Sequence, residues 1–194
     1  MNITNPYIST IIKTPVILKP NKLNKNIKSN VYDELRMNYE KKCIENIGFV
    51  QEIGQIEELS QGIMIRENYS GDIKYNVVFQ ARVCNPQKND FIICKITDLN
   101  PKIIRCENGP IICLIPIERI NQDLFTYVNG KVIYNENKHV ITNNDYIIVN
   151  IIDKRFDPND NIIKAFGNLI NLSDQVSMVE NKNTVVSSFD NIDF

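Results

Sequence analysis

A chain of 194 residues with 43% hydrophobic and 23% charged content is ordinary globular composition, long enough for one domain or two small ones. Its net charge of −1 makes no global electrostatic case for or against nucleic acid, so any such surface would be a local patch. Five cysteines with no C-x-x-C pair, and a single histidine, point away from a zinc site.

Isoleucine and asparagine together make up roughly a third of the chain, far above average usage, which AT-rich coding DNA explains. Most cysteines fall inside predicted strands, where a thiol acts as a small hydrophobe, and the chain reads as intracellular and reduced. The N-terminus is polar and the apolar runs are short, so neither a signal peptide nor a membrane span is expected.

Ser9 to Leu18 predicts a strand, and Pro15 within it argues for a sheet edge because proline lacks the N–H of a ladder donor. Lys19-Pro20-Asn21 turns the chain. Ile27, Val31, Leu35 and Tyr39 then recur every four residues, predicting a helix from about Asn24 to Glu40 with one packing stripe. Lys42 to Ile53 predicts a strand bent or bulged at Gly48, with Ile56 and Leu59 continuing the apolar signal. Ile63-Met64-Ile65 is a further short strand, followed by a polar hairpin loop from Arg66 to Asp72.

From Lys74 to Pro86 the pattern is plainest. Tyr75, Val77, Phe79, Ala81 and Val83 occupy alternate positions and so share one face of a strand, while Asn76, Gln80 and Arg82 share the other. Pro86 ends it. A helix laid across a small antiparallel sheet follows from this order.

After Pro86 the spacing predicts only strands. Asp90 to Thr97 is one, with Phe91, Ile93 and Lys95 on a shared face; Lys102 to Cys106 is the next. Asn108-Gly109-Pro110 is a turn, Ile111 to Ile115 a strand, and Pro116 to Ile120 a helical turn. Leu124 to Ile141 is ambiguous, with Asn129-Gly130 as a turn and a hairpin between Lys131 and Ile141. Asp145 to Asp153 is a buried strand, 157–161 a turn, and Ile162 to Phe166 a last strand ended by Gly167. Five short strands with an excursion between the third and fourth match a Greek-key OB barrel. The segment from 173 to 194 is polar with scattered Val185, Val186, Phe189 and Phe194, as expected of a flexible tail.

Several strings now form an ordered set: Leu18-x-Pro20, Gly48-Phe49-Val50, Ile53 with Ile56, and Gly62-Ile63. Tyr75-x-Val77-x-Phe79-x-Ala81-x-Val83-x-x-Pro86, Gly109-Pro110, Arg155-x-Asp157 and Ala165-x-Gly167 follow. Over about Val16 to Leu172 the chain resembles the larger stalk subunit of archaeal and eukaryotic multisubunit RNA polymerases, the family of the seventh subunit of polymerase II and its archaeal counterpart. The resemblance implies an α+β protein with a truncated RNP-like tip domain at 1–86 and a five-stranded OB barrel at 87–172. Two departures stand out. Asn89-Asp90 replaces the family's common Gly-Glu, and Ile103 followed by Ile104-Arg105 stands where the barrel subclass has glycine and a stacking aromatic.

By that resemblance the protein is a non-catalytic subunit without a cofactor, docking on polymerase core subunits, with a smaller stalk partner and weak, non-specific contact to nascent single-stranded RNA. The candidate RNA contacts are Lys95, Lys102, Arg105, Lys154, Arg155 and Lys164; the candidate core-docking positions are Lys19, Pro20, Asn21, Gly62, Arg66, Glu67, Asn68 and Gly71. No nucleophile, phosphate-loop or dinucleotide motif is found, and His139 reads as a surface residue. The skewed composition suggests a fast-evolving lineage such as a large DNA virus, with the nucleus, a cytoplasmic viral factory or the virion as compartment. The alternative is a free-standing OB-fold module binding single-stranded RNA in translation or RNA decay.

Overall fold

The computed structural model describes residues 2–65, 70–128, 131–173 and 179; most of the expected tail, with Arg66, Glu67, Asn68 and the Asn129-Gly130 turn, lies outside them. The protein is mostly β with one α-helix, in two sheet systems and a closed barrel.

Strand β1 (Tyr7–Leu18) opens the chain, a 3-10 turn follows at Pro20–Lys22, and helix α1 spans Ile27–Tyr39. Strands β2 (Cys43–Ile44), β3 (Gly48–Leu59), β4 (Ile63–Met64) and β5 (Ile73–Cys84) complete the first sheet. Its order is β1-β5-β3-β2, with β4 also on β5. β5 is therefore central, and β1 runs beside it antiparallel from Tyr7↔Cys84 to Leu18↔Ile73. Pro15 lies on this edge strand, as its missing N–H requires.

The alternation expected of β5 is realised: Val77, Phe79, Ala81 and Val83 are fully buried and Tyr75 nearly so. α1 covers this face through Val31 and Leu35, with Ile27 and Tyr39 packed at the margins. Tyr32 donates a hydrogen bond to the Ile53 carbonyl at 3.0 Å, fixing the helix to β3. The helix is shorter than expected at its start because Asn24 Oδ1 accepts the Asn26 amide, an Asx turn that holds 24–26 out of it.

The strand expected from Lys42 is two strands. Asn46 (φ 62°) and Gly48 (φ 116°) reverse the chain between β2 and β3. A Cβ on Gly48 would lie 2.6 Å from the Cys84 carbonyl oxygen, so glycine marks a turn and a close approach rather than a bulge. The bulges come later: the β3/β5 register slips after Val50, Ile53 and Ile56. These slips let Ile53, Ile56 and Leu59, three apart, all reach the same core.

Strands β6 (Phe91–Leu99), β7 (Ile103–Asn108), β8 (Ile111–Pro116), β12 (Tyr146–Arg155) and β13 (Ile163–Leu172) close into a barrel ordered β12-β13-β8-β7-β6. All its pairings are antiparallel except β8 with β13. That connectivity is consistent with an OB-like barrel. The excursion before β12 holds a 3-10 turn at Ile117–Arg119 and a three-stranded sheet of β9 (Phe125–Val128), β10 (Lys131–Tyr134) and β11 (His139–Val140).

The inner wall of β6 is Ile92, Cys94 and Ile96, not the face holding Phe91, Ile93 and Lys95. Ile93 is buried as well, under the Asn108 amide that donates to its carbonyl at 2.8 Å, so alternation alone does not reveal the inner face here. Cys94, Cys106 and Cys113 are fully buried, unbridged thiols inside the barrel, packing as small hydrophobes.

Gly167 does not end the last strand; β13 continues through it to Leu172. A Cβ there would sit 2.3 Å from Val149 Cγ1 and 2.8 Å from the Asn150 carbonyl oxygen. Glycine lets β13 close on β12 at the point where the β12 register slips between Ile151 and Asp153.

The sheet and the barrel are bonded end to end. Cys43 N donates to the Asp160 carbonyl (2.8 Å) and Asn159 N to the Cys43 carbonyl (2.9 Å). Thr4 N donates to the Phe91 carbonyl and Asn85 N to that of Pro6. Tyr7, Cys43, Phe49 and Cys84 pack into the same apolar cluster as the barrel interior.

His139 is exposed, as expected, but it has a partner. Its Nε2 meets Asp145 Oδ2 at 2.9 Å, and the same oxygen accepts from Thr142 N and Oγ1, tying β11 to the start of β12. Burial alone would raise the Asp145 pKa, but the bonds from Thr142 and His139 outweigh it and hold the carboxyl below the usual range.

Two outcomes follow from these contacts. Gly167→Ala is expected to cost about 1–3 kcal/mol through overpacking, seen as a Tm several degrees lower; an unchanged Tm would contradict the close approach. Because its folded pKa lies below the ordinary 3.8, Asp145 contributes stability that is complete above that value and is lost as pH falls through the folded pKa. In urea unfolding, the excess stability of the native protein over Asp145→Asn should therefore shrink below pH 3.8, whereas a constant excess would refute the linkage.

Candidate functional site

Barrel strands send alternate side chains outward, and the register sets which of the candidate cations meet. One rung across the outer wall runs Arg155, Lys164, Ile112, Glu107, Lys95; the next runs Asp153, Phe166, Leu114, Arg105, Asp98. Arg155 and Lys164 are direct neighbours and both exposed. Arg105 pairs with Glu107 at 2.9 Å, on a partly exposed guanidinium where such a bond contributes little. Lys95 is half-buried opposite Glu107. Four of the six expected RNA contacts thus share one wall, interleaved with carboxylates rather than forming a purely basic groove.

The other two lie elsewhere. Lys102 is exposed on the loop before β7, where its carbonyl accepts from Ile117 N and the adjacent Pro101 carbonyl accepts from the Tyr127 hydroxyl. Lys154 falls on the inward side of the β12 slip, opposite Ala165, and its ammonium donates to Asn85 Oδ1 at the sheet–barrel junction. Burial lowers its pKa, with Asp90 pulling the other way. Lys154 is thereby engaged in holding the junction.

Sequence reasoning missed Phe166, an aromatic 51% exposed at the centre of this wall. The signal was present: Ile163, Ala165, Gly167 and Leu169 alternate inward, which places Lys164, Phe166 and Asn168 outward. Taking Gly167 as a strand end concealed it.

The candidate docking positions gather at the far end of the sheet. Lys19, Pro20 and Asn21 follow just past the Leu18↔Ile73 pair, with Lys19 and Pro20 exposed. Gly71 (φ 72°) packs beside them, with a Cβ there only 3.3 Å from Pro20 Cγ. Gly62 lies over Ile73 and Tyr75, whose side chains a Cβ would meet at 2.6 and 2.8 Å. Arg66, Glu67 and Asn68 lie outside the described residues. The same end exposes Ile17 (50%), Ile63 (62%) and Met64 (62%), which the sequence did not single out. Ile17 and Ile63 flank Lys74 on the two neighbouring strands.

A notch of about 350 Å³ opens at the junction between Lys41, Lys42 and Phe49 on one side and Pro110 and Asn161 on the other. Among the described residues no group of His, Cys, Asp and Glu could hold a metal ion, and no helix is long and apolar enough to cross a membrane.

No family model matches this sequence. The chain is 28% identical over 186 residues to a protein of Acanthamoeba polyphaga mimivirus named "Putative DNA-directed RNA polymerase subunit L376". The match spans 95% of this chain and 93% of that protein, so the likeness runs through the helix-bearing sheet, the junction and the barrel alike.

Proposed function

We propose that this protein is a component of a DNA-directed RNA polymerase of a large DNA virus, and within it the non-catalytic stalk subunit. The observation that carries the first part is the end-to-end likeness to the mimivirus protein of that name. The stalk assignment rests on the order of parts: a helix on an antiparallel sheet, read as the RNP-like tip at 1–86, then an OB-like barrel at 87–172.

In this reading the tip end of the sheet docks on the polymerase core. Lys19, Pro20, Asn21, Gly62 and Gly71 supply close-packed loops there, and Ile17, Ile63 and Met64 supply exposed apolar area of the kind that marks an interaction site. The junction notch is the seat for a smaller stalk partner. The outer barrel wall, with Arg105, Arg155 and Lys164, faces exiting transcript and holds it weakly through its phosphates. The place of work is wherever that polymerase transcribes, the nucleus, a cytoplasmic viral factory or the virion. The chemistry of RNA synthesis belongs to other subunits, so the contribution of this chain is bracing and electrostatic guidance.

Affinity purification of the tagged protein from its native source tests the reading. Large catalytic polymerase subunits should accompany it in stoichiometric yield, and a doubly substituted Ile63→Asp, Met64→Lys variant should lose at least about nine-tenths of that yield while melting like the native protein. Recovery of RNA or ribosomal proteins without polymerase subunits would instead favour a free-standing OB module.

A further inference from the structure

We propose that Phe166 is the stacking platform of a single-stranded RNA path over the outer barrel wall, flanked by Lys164, Arg155 and Arg105 as phosphate contacts. The inference rests on the reading that this wall carries transcript, and it adds the residue on which a base stacks.

The aromatic expected on the second barrel strand is absent, since Ile103 and Arg105 hold the outward positions of β7. The structure supplies a ring from the other side of the same wall. β13 pairs with β8 in parallel, which sets Phe166 beside Leu114, itself opposite Arg105 on β7. Gly167 and the adjacent β12 slip position it. The slip pairs Asp153 with Phe166 and Arg155 with Lys164 while turning Lys154 inward. Neighbouring strands lie about 4.8 Å apart, and same-face residues along a strand about 7 Å, so the three cations surround the ring within about 10 Å.

Neither Arg155 nor Lys164 forms a salt bridge among the described residues, and the Arg105–Glu107 pair is exposed enough to exchange for a phosphate. A nucleobase fits this arrangement because it needs one ring face, a nearby cation for its phosphate and polar groups at its edge. Asp153, beside the ring, accepts from exocyclic amines. A protein partner needs a broad contiguous area, about 800 Å² a side, and here the ring has only half-buried Leu114 and Ile112 as apolar neighbours, bordered by Asp153, Arg155, Lys164 and Arg105.

The test uses the full chain and a fluorescein-labelled oligocytidine, whose bases carry the exocyclic amine, in low salt. Fluorescence anisotropy should show binding that weakens roughly ten- to a hundredfold in Phe166→Ala and survives in Phe166→Tyr. Lys164→Gln and Arg155→Gln should each reduce the salt slope by about one. The chain contains no tryptophan, so Phe166→Trp places a sole indole at the site, and its emission should be quenched by the RNA. That readout needs no loss of affinity and so decides the matter should Phe166→Ala fail to fold. Native binding with undiminished affinity in Phe166→Ala, or an unquenched indole in an RNA-bound protein, overturns the role of Phe166 and leaves the RNA path standing. No binding by the native protein overturns both.

Discussion

The structure depends on the seam where the first sheet meets the barrel. β5 carries an unbroken apolar face into Cys84, and the chain passes through Asn85 and Pro86 directly into the barrel. Around that point the backbone of Cys43 exchanges two hydrogen bonds with Asn159 and Asp160, and Lys154 reaches from the barrel to Asn85. These backbone groups find their partners across the seam rather than within their own sheet. Burial that depresses the Lys154 pKa shows the cost of placing an ammonium there, and the Asn85 oxygen and nearby Asp90 offset it. Because the bonds are several and spread over three segments, the sheet and the barrel are joined by more than the single covalent connection through Asn85 and Pro86.

Much of this was legible in the sequence where a single physical period dominates. The four-residue stripe of α1 and the two-residue alternation of β5 announce which side is buried, since each element has one wet and one dry face. Where both faces are buried the period loses its meaning, and Ile92, Ile93 and Cys94 give no sign of which looks into the barrel. Register slips are equally silent. Ile53, Ile56 and Leu59 reach one core only because β3 is bulged, and no local rule announces a bulge whose cause lies on the paired strand. Glycine is the most misleading letter. Gly48 and Gly167 suggest a bulge and a terminus, yet both are close approaches set by tertiary neighbours, Cys84 in one case and Val149 in the other.

The same limits apply to the candidate surfaces. The barrel cations are recognisable by their position in expected strands, but the inner or outer side of Lys154 and Arg155 depends on the β12 slip. Arg155 and Lys164 come together, and Lys154 turns to the seam. At the sheet end the loop residues are visible as turn formers, whereas exposed Ile17, Ile63 and Met64 look in sequence like any strand residue. Their exposure is a property of the edge, which only the pairing of β1 and β4 with β5 reveals. The sheet end is apolar and the barrel wall is mixed in charge, and the proposed reading divides them, giving the first to protein and the second to transcript.

The most direct test of that division is cross-linking mass spectrometry on the polymerase assembly isolated from the protein's native source, using an amine-reactive linker. Lys19 and Lys74, at the sheet end, should link to large core subunits, while Lys164 on the barrel wall should not. Core links from Lys164 with none from Lys19 or Lys74 would contradict the account by reversing the protein's orientation.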